Sequence, residues 1–132
     1  MKLSEMMILG AMMSPQTRGQ LANDKGTCGL GAVVEASGLL DKWKAIAALP
    51  QSEQLGKWDD FWSSVPFYRF MQSIYIHPIT GERRTVNSII ISLNDSHKWT
   101  RERIAQWIAT IEPQEVTDIV IPSITEAECV TR

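Results

Sequence analysis

Apolar positions recur at helical spacing along most of this chain and at strand spacing in one place. Met6, Met7, Ile8, Leu9, Met12 and Met13 surround most of a first helix, which predicts burial on more than one side. Ser4 is placed to cap that helix, with Leu3 and Ile8 as the hydrophobic staple. The methionines read as gap-filling core before they read as a soft binding surface. From Ser14 to Gly26 the periodicity lapses, and Pro15, Gly19, Asn23, Asp24 and Gly26 mark a long loop without an evident catalytic group. Thr27 then caps a second helix running to Ser37, and Gly38 supplies the left-handed residue that ends it. Asp41 caps a third helix through Leu49, striped by Trp43, Ile46, Ala47 and Leu49 and stopped by Pro50.

The stretch from Gln51 to Phe70 is mixed and aromatic, with one or two helical turns ending before Pro66. Trp58, Phe61, Trp62, Phe67, Tyr68 and Phe70 crowd there, a density that core packing explains more often than base or peptide binding. Ile74 and Ile76 alternate with Ser73, Tyr75 and His77, and Pro-Ile-Thr-Gly supplies the turn of a β-hairpin. An isolated hairpin is marginal in water, so this one must lie on the helices. Val86, Ile89, Ile90 and Leu93 fit a helix template throughout, with Asn94 as its C-cap, whereas the strand template takes in polar Asn87. Thr100 caps the clearest helix, stapled by Trp99 and Ile104, striped by Ile104, Trp107, Ile108 and Ile111, and ended by Pro113. A short β-type run follows at Ile119 to Ile121, then a polar end from about residue 122 that frays or reaches a partner.

The expected fold is therefore mainly α within the α+β class: five or six short helices in a compact bundle with one β-hairpin packed on it. With 132 residues, no repeat and no linker, the chain reads as one domain spanning residues 1–132. A net charge of −2 argues against bulk attraction to nucleic acid or anionic membrane. No apolar run approaches the roughly 20 residues of a membrane span, and Glu5 within the first apolar stretch speaks against a signal peptide. Cys28 and Cys129 are far apart and form no Cys-x-x-Cys pair, so a reducing, cytoplasmic setting is expected and a disulfide framework is not.

Leu3-Ser4 with Leu9-Gly10-Ala11-Met12, Cys28 to Ala32, Leu93-Asn94-Asp95 and Trp99 to Glu102 together resemble a loose group of small uncharacterised bacterial proteins. That group opens with such a helix, continues with a Cys-x-Leu-Gly-Ala helix and closes with a Leu-Asn-Asp turn before a Trp-Thr-Arg-Glu helix. The resemblance covers about half of the chain, has no counterpart between Gln51 and Arg84, and implies no activity. Some members carry additional cysteines before the Leu-Asn-Asp turn that look like metal ligands; this sequence has none there, so no zinc site carries over.

Candidate chemistry is sparse. Gly26, Gly29 and Gly31 lie at a helix start, where free N–H groups favour anions, but neither a Gly-Lys-Ser/Thr nor a Rossmann turn is present. The glycines instead predict a small-residue side on the second helix that another helix approaches closely. Cys28 begins that helix, where a thiolate is stabilised, yet a nucleophile needs a base, and His77 and His97 lie on different elements. Cys28, His77, Asp95 and His97 lack both EF-hand and helical zinc spacing. Asp59 and Asp60 are adjacent and cannot share a helix face. Between Arg83 and Arg103, five basic residues outnumber Asp95 and Glu102, but seven residues join the two helices against the three or four of a helix-turn-helix.

The expected function is a non-catalytic cytoplasmic protein-interaction or adaptor domain, an inhibitor or accessory subunit that uses no cofactor and no metal. Its partner is another protein or a second copy, and it has no membrane role. Arg83, Arg84, Lys98, Arg101 and Arg103, with Trp58 and Trp62 where exposed, form the expected contact surface. A nucleic-acid-binding accessory protein using residues 83–103 is the alternative, and a thiol enzyme centred on Cys28 is the second.

Overall fold

A computed structural model describes residues 1–113. The expected β-type run at Ile119–Ile121, the polar end and Cys129 lie outside the described residues. The order is α1 (Leu3–Met13), α2 (Gly29–Ala36), α3 (Leu40–Ala47), α4 (Gln51–Gln54), α5 (Lys57–Ser63), α6 (Tyr68–Met71), β1 (Ile74–Ile76), β2 (Arg83–Thr85), α7 (Val86–Asp95) and α8 (Arg101–Ile111). The helical bundle carrying one hairpin is what the periodicity predicts, with the stretch 51–71 divided into three short helices.

The core is built where α1, α2, α7 and α8 meet: Leu3, Met7, Leu30, Val33, Val34, Ile89, Ile90, Leu93, Ile104 and Ile108 are all buried. Burial of each such side chain contributes about 1.5–3 kcal/mol. Met6 joins this core, but Ile8, Met12 and Met13 face outward, Met12 being 73% exposed. The expectation that α1 is buried on more than one side therefore fails on that face, because only α2 and α8 pack extensively on the helix.

Two glycines set the closest approaches. A Cβ at Gly10 would stand 1.9 Å from the Ala32 carbonyl oxygen, so α1 crosses α2 backbone to backbone. A Cβ at Gly31 would stand 2.2 Å from the Leu21 carbonyl oxygen. The small-residue side of α2 is thus shared between a helix at Ala32 and the 14–28 loop at Gly31.

Several caps differ from expectation. Ser4 is buried inside the first turn of α1, and Lys2 takes the cap position with its N–H on the Glu5 carboxylate at 2.8 Å. Ser4 instead donates its hydroxyl to Glu112, whose other oxygen accepts the Ser4 N–H at 3.1 Å. Cys28, not Thr27, caps α2, its Sγ accepting the Gly31 N–H at 3.5 Å. Leu39, not Asp41, precedes α3. Asn94 lies within α7, whose C-cap is Ser96. Gly38, at φ 78°, ends α2 as expected, and Thr100 caps α8 by accepting the Arg103 N–H at 3.1 Å.

α1 and α8 run antiparallel and satisfy each other's ends. Arg101, at the start of α8, donates to the carbonyls of Ala11 at 3.4 Å and Ser14 at 2.6 Å, at the C-terminal end of α1. Glu112, at the end of α8, sits on the N-terminal turn of α1. Each charge meets the helix pole of opposite sign and takes up peptide groups that lack intrahelical partners.

Candidate functional site

The site is described from the seven residues expected at the surface, starting with Arg101. Its side chain is 4% exposed and is held by the Thr27 hydroxyl at 3.0 Å, the Thr27 carbonyl at 3.4 Å and the α1 carbonyls. Burial pulls its pKa below the ordinary guanidinium value, and the guanidinium remains charged. Arg101 is consequently a structural pin, unavailable to a partner at the surface.

Trp58 and Trp62 are half-buried and packed against the core. They belong to an aromatic chain, Trp43 to Trp58 at 6.0 Å, Trp58 to Phe61 at 5.9 Å and Phe61 to Trp62 at 5.1 Å between centroids. Trp58 Nε1 donates to Gln54 Oε1 at 3.1 Å. Their helix, α5, packs on α3 and α4, whereas β2 packs on α7.

The other four cations lie on β2, in the α7–α8 loop and on α8. Arg83 is exposed on β2. Arg84, half-buried beside it, donates from Nε to Ser88 Oγ at 2.8 Å and pairs with Glu82 at 3.8 Å. Lys98 is exposed in the α7–α8 loop with a left-handed φ of 59°, and Arg103 lies 3.9 Å over the Trp99 ring. The loop meets the hairpin through His97 and His77, whose rings stand edge to face at 5.3 Å.

His77 is 1% exposed, and both of its nitrogens are engaged. Nδ1 accepts the N–H groups of Ile79 at 3.1 Å and Thr80 at 3.2 Å, which leaves the proton on Nε2, donated to Ser92 Oγ at 3.0 Å. Burial, then His97 and Arg84, hold its pKa below the ordinary 6.5. The expected alternation in β1 is present, and the face laid on the helices carries Tyr75 and His77. Tyr75 packs on Phe70 at 5.8 Å and donates to the Ile111 carbonyl at 3.4 Å.

The isoleucines accordingly face outward: Ile74 is 51% exposed, Ile76 53% and, in the turn, Ile79 48%. Sequence reasoning did not place these residues at the surface, since period-two alternation is the same whichever face is turned inward. The pairs are Ile74 with Thr85, Tyr75 with Arg84 and Ile76 with Arg83, so Arg83 shares the outer face with Ile76. Among the described residues no third strand joins this sheet.

Cys28 is buried, and burial raises its thiol pKa despite hydrogen bonds from the Gly31 and Leu30 backbone that lower it. It borders a cleft of about 170 Å³ lined by Gly19, Gln20, Leu21, Leu30, Ile91 and Asp95, with no histidine in the lining. A protonated thiol without an adjoining base is a poor nucleophile. Among the described residues no three His, Cys, Asp or Glu side chains gather to hold a metal ion, and no helix is long and apolar enough to cross a membrane. Comparison with protein-family models, curated proteins and solved structures finds no match to this chain.

Proposed function

We propose that this chain is a non-catalytic protein-interaction module, an inhibitor or accessory subunit, that engages its partner through the outer face of the hairpin. The observation that carries the reading is the placement of Ile74, Ile76 and Ile79, each about half exposed, on a two-stranded sheet. Exposed β-branched residues at a sheet edge invite association, and proteins ordinarily blunt such edges with charge or proline. Arg83, exposed and on the same face as Ile76, adds a cation of the kind that guides encounter. A free buried thiol at Cys28 is compatible with the cytoplasmic setting of the proposal.

The test compares the native chain with an Ile74→Lys/Ile76→Lys double variant as baits. Each of these side chains keeps about half of its surface in water in the folded chain, so the variant should keep its thermal midpoint within a few degrees, equivalent to about 1 kcal/mol or less. A protein retained by the native chain and released by the variant supports the reading. Identical captures from both baits overturn it.

A further inference from the structure

We infer that the hairpin is a pH-sensitive switch: protonation of His77 frees the 77–82 turn from α7 and disassembles the Ile74, Ile76 and Ile79 face while the helical core stays folded. The consequence for binding rests on the interaction reading and adds to it a means of regulation. What carries the inference is that one buried ring ties three segments together. Nδ1 of His77 accepts the Ile79 and Thr80 N–H groups and so shapes the turn. Nε2 holds the ring on α7 through Ser92 Oγ at 3.0 Å. The Ser92 carbonyl accepts the His97 N–H at 3.1 Å, which sets the second imidazole against the first. The backbone of His77 closes the turn as well, its N–H on the Glu82 carbonyl at 2.8 Å and its carbonyl on the Gly81 N–H at 3.0 Å.

A proton added at Nδ1 does not fit this seat. The nitrogen becomes a donor aimed at two other donors, and the Ile79 and Thr80 N–H groups lose it as a partner. The surroundings do little for the new charge. Ser92 on α7 is neutral, while His97 in the following loop and Arg84 on β2 both disfavour a cation. Among the described residues Glu82 is the acid that favours one, but it lies on the turn itself, its side chain is 63% exposed, and it pairs with Arg84 at 3.8 Å. A carboxylate so open to water offsets little of the cost of a buried charge. Protonation is therefore accommodated by moving the ring into water, and the turn goes with it.

The release stays local because two three-residue strands are marginal without their support. Ties such as the Val86 N–H on the Ser73 carbonyl at 2.9 Å lie at the base of the hairpin, away from the turn. Ile89, Ile90 and Leu93 meanwhile keep α7 in the core, fully buried. Segments held by few contacts open below the global unfolding free energy. The neutral ring fits the closed turn and the charged ring does not. The turn is thus closed above pH 6.5 and opens as pH falls below that value toward the lowered folded pKa.

The test follows amide exchange of the full chain by NMR, corrected for the intrinsic pH dependence of exchange, from about pH 7.5 to about pH 5. Protection at His77, Ile79, Thr80 and Gly81 should fall about tenfold, with that at Ile89, Ile90 and Leu93 unchanged. Ring-nitrogen shifts of the native chain report the protonation without any variant, and the opening should follow them. His77→Asn, which keeps a local acceptor, should abolish the fall. A turn that stays protected while the ring gains its proton overturns the inference, and so does simultaneous loss of protection in turn and core. Capture by the native bait should weaken about tenfold over the same range, and capture by a His77→Asn bait should not. Undiminished native capture after the turn has opened overturns the regulatory role and leaves the interaction reading standing. An opening turn with no Ile74/Ile76-dependent capture at either pH overturns the interaction reading and leaves the switch.

Discussion

Asn94 uses its amide completely: Oδ1 accepts from Gln16 Nε2 at 2.8 Å and Gly29 N–H at 3.2 Å, while Nδ2 donates to the Thr17 carbonyl at 2.9 Å and Asp95 Oδ1 at 2.8 Å. Asn94→Ala should therefore cost about 1–3 kcal/mol for the buried Gly29 N–H alone, seen as a lower thermal midpoint and faster proteolysis within the 14–28 loop. Substitution by Asp should not rescue it, since a carboxylate cannot donate to Thr17. His77 makes a different, pH-dependent prediction. Its folded pKa lies below 6.5, so the unfolded chain binds more protons as pH falls through that value. The contribution of His77 to stability is full above pH 6.5 and declines as pH drops toward the lowered folded pKa. Protonating Nδ1 would also replace the acceptor of the Ile79 and Thr80 N–H groups with a donor. Denaturant melts between about pH 5 and pH 7 should show this slope, and His77→Asn, which keeps a local acceptor without titrating, should flatten it.

At the scale of elements, the α1–α2 crossing is the most exacting contact. Gly10→Ala places its methyl against the Ala32 carbonyl, where only backbone can yield. The loss should be about 1–3 kcal/mol or more, measured by chemical denaturation, and Gly31→Leu should behave likewise against Leu21. Gly38→Ala should cost less, about 1 kcal/mol, because the site is open and only its left-handed φ of 78° resists a side chain. Elements were legible in the sequence where one period dominated: α7 and α8 through their isoleucine stripes, the hairpin through its turn. Caps and hubs were not. Ser4, Asn94 and Arg101 have ordinary surface chemistry and became buried only because distant segments supplied their partners. The outward isoleucines escaped for a related reason: what buries Tyr75 and His77 is the matching of their polar tips to Ile111 and Ser92, which no local pattern announces.

For the whole molecule, segments far apart in the sequence converge in space. Gly10 meets Ala32, Gly29 meets Asn94, and Thr27 meets Arg101. What joins these residues is packing and polar satisfaction. Arg101→Met should bear this out as a fold defect, with near-equal loss of thermal stability whether or not a partner is present, because the Thr27, Ala11 and Ser14 acceptors are left in a poorly hydrated interior. The antiparallel clamp between α1 and α8 has a further consequence for biosynthesis. Both poles of the first helix find their side-chain partners in residues 101 and 112, the last helix made in the described chain. At about 5–20 residues per second, α1 emerges on the order of ten seconds before those partners exist. For that interval Met6 and Met7, later buried, stand beside Met12 and Met13, which stay exposed in the folded chain, on a helix whose Ser4 N–H and last carbonyls still lack these partners. The nascent chain thus displays a methionine-rich surface that chaperones of the ribosome exit could hold, and slower translation should lengthen that engagement in proportion.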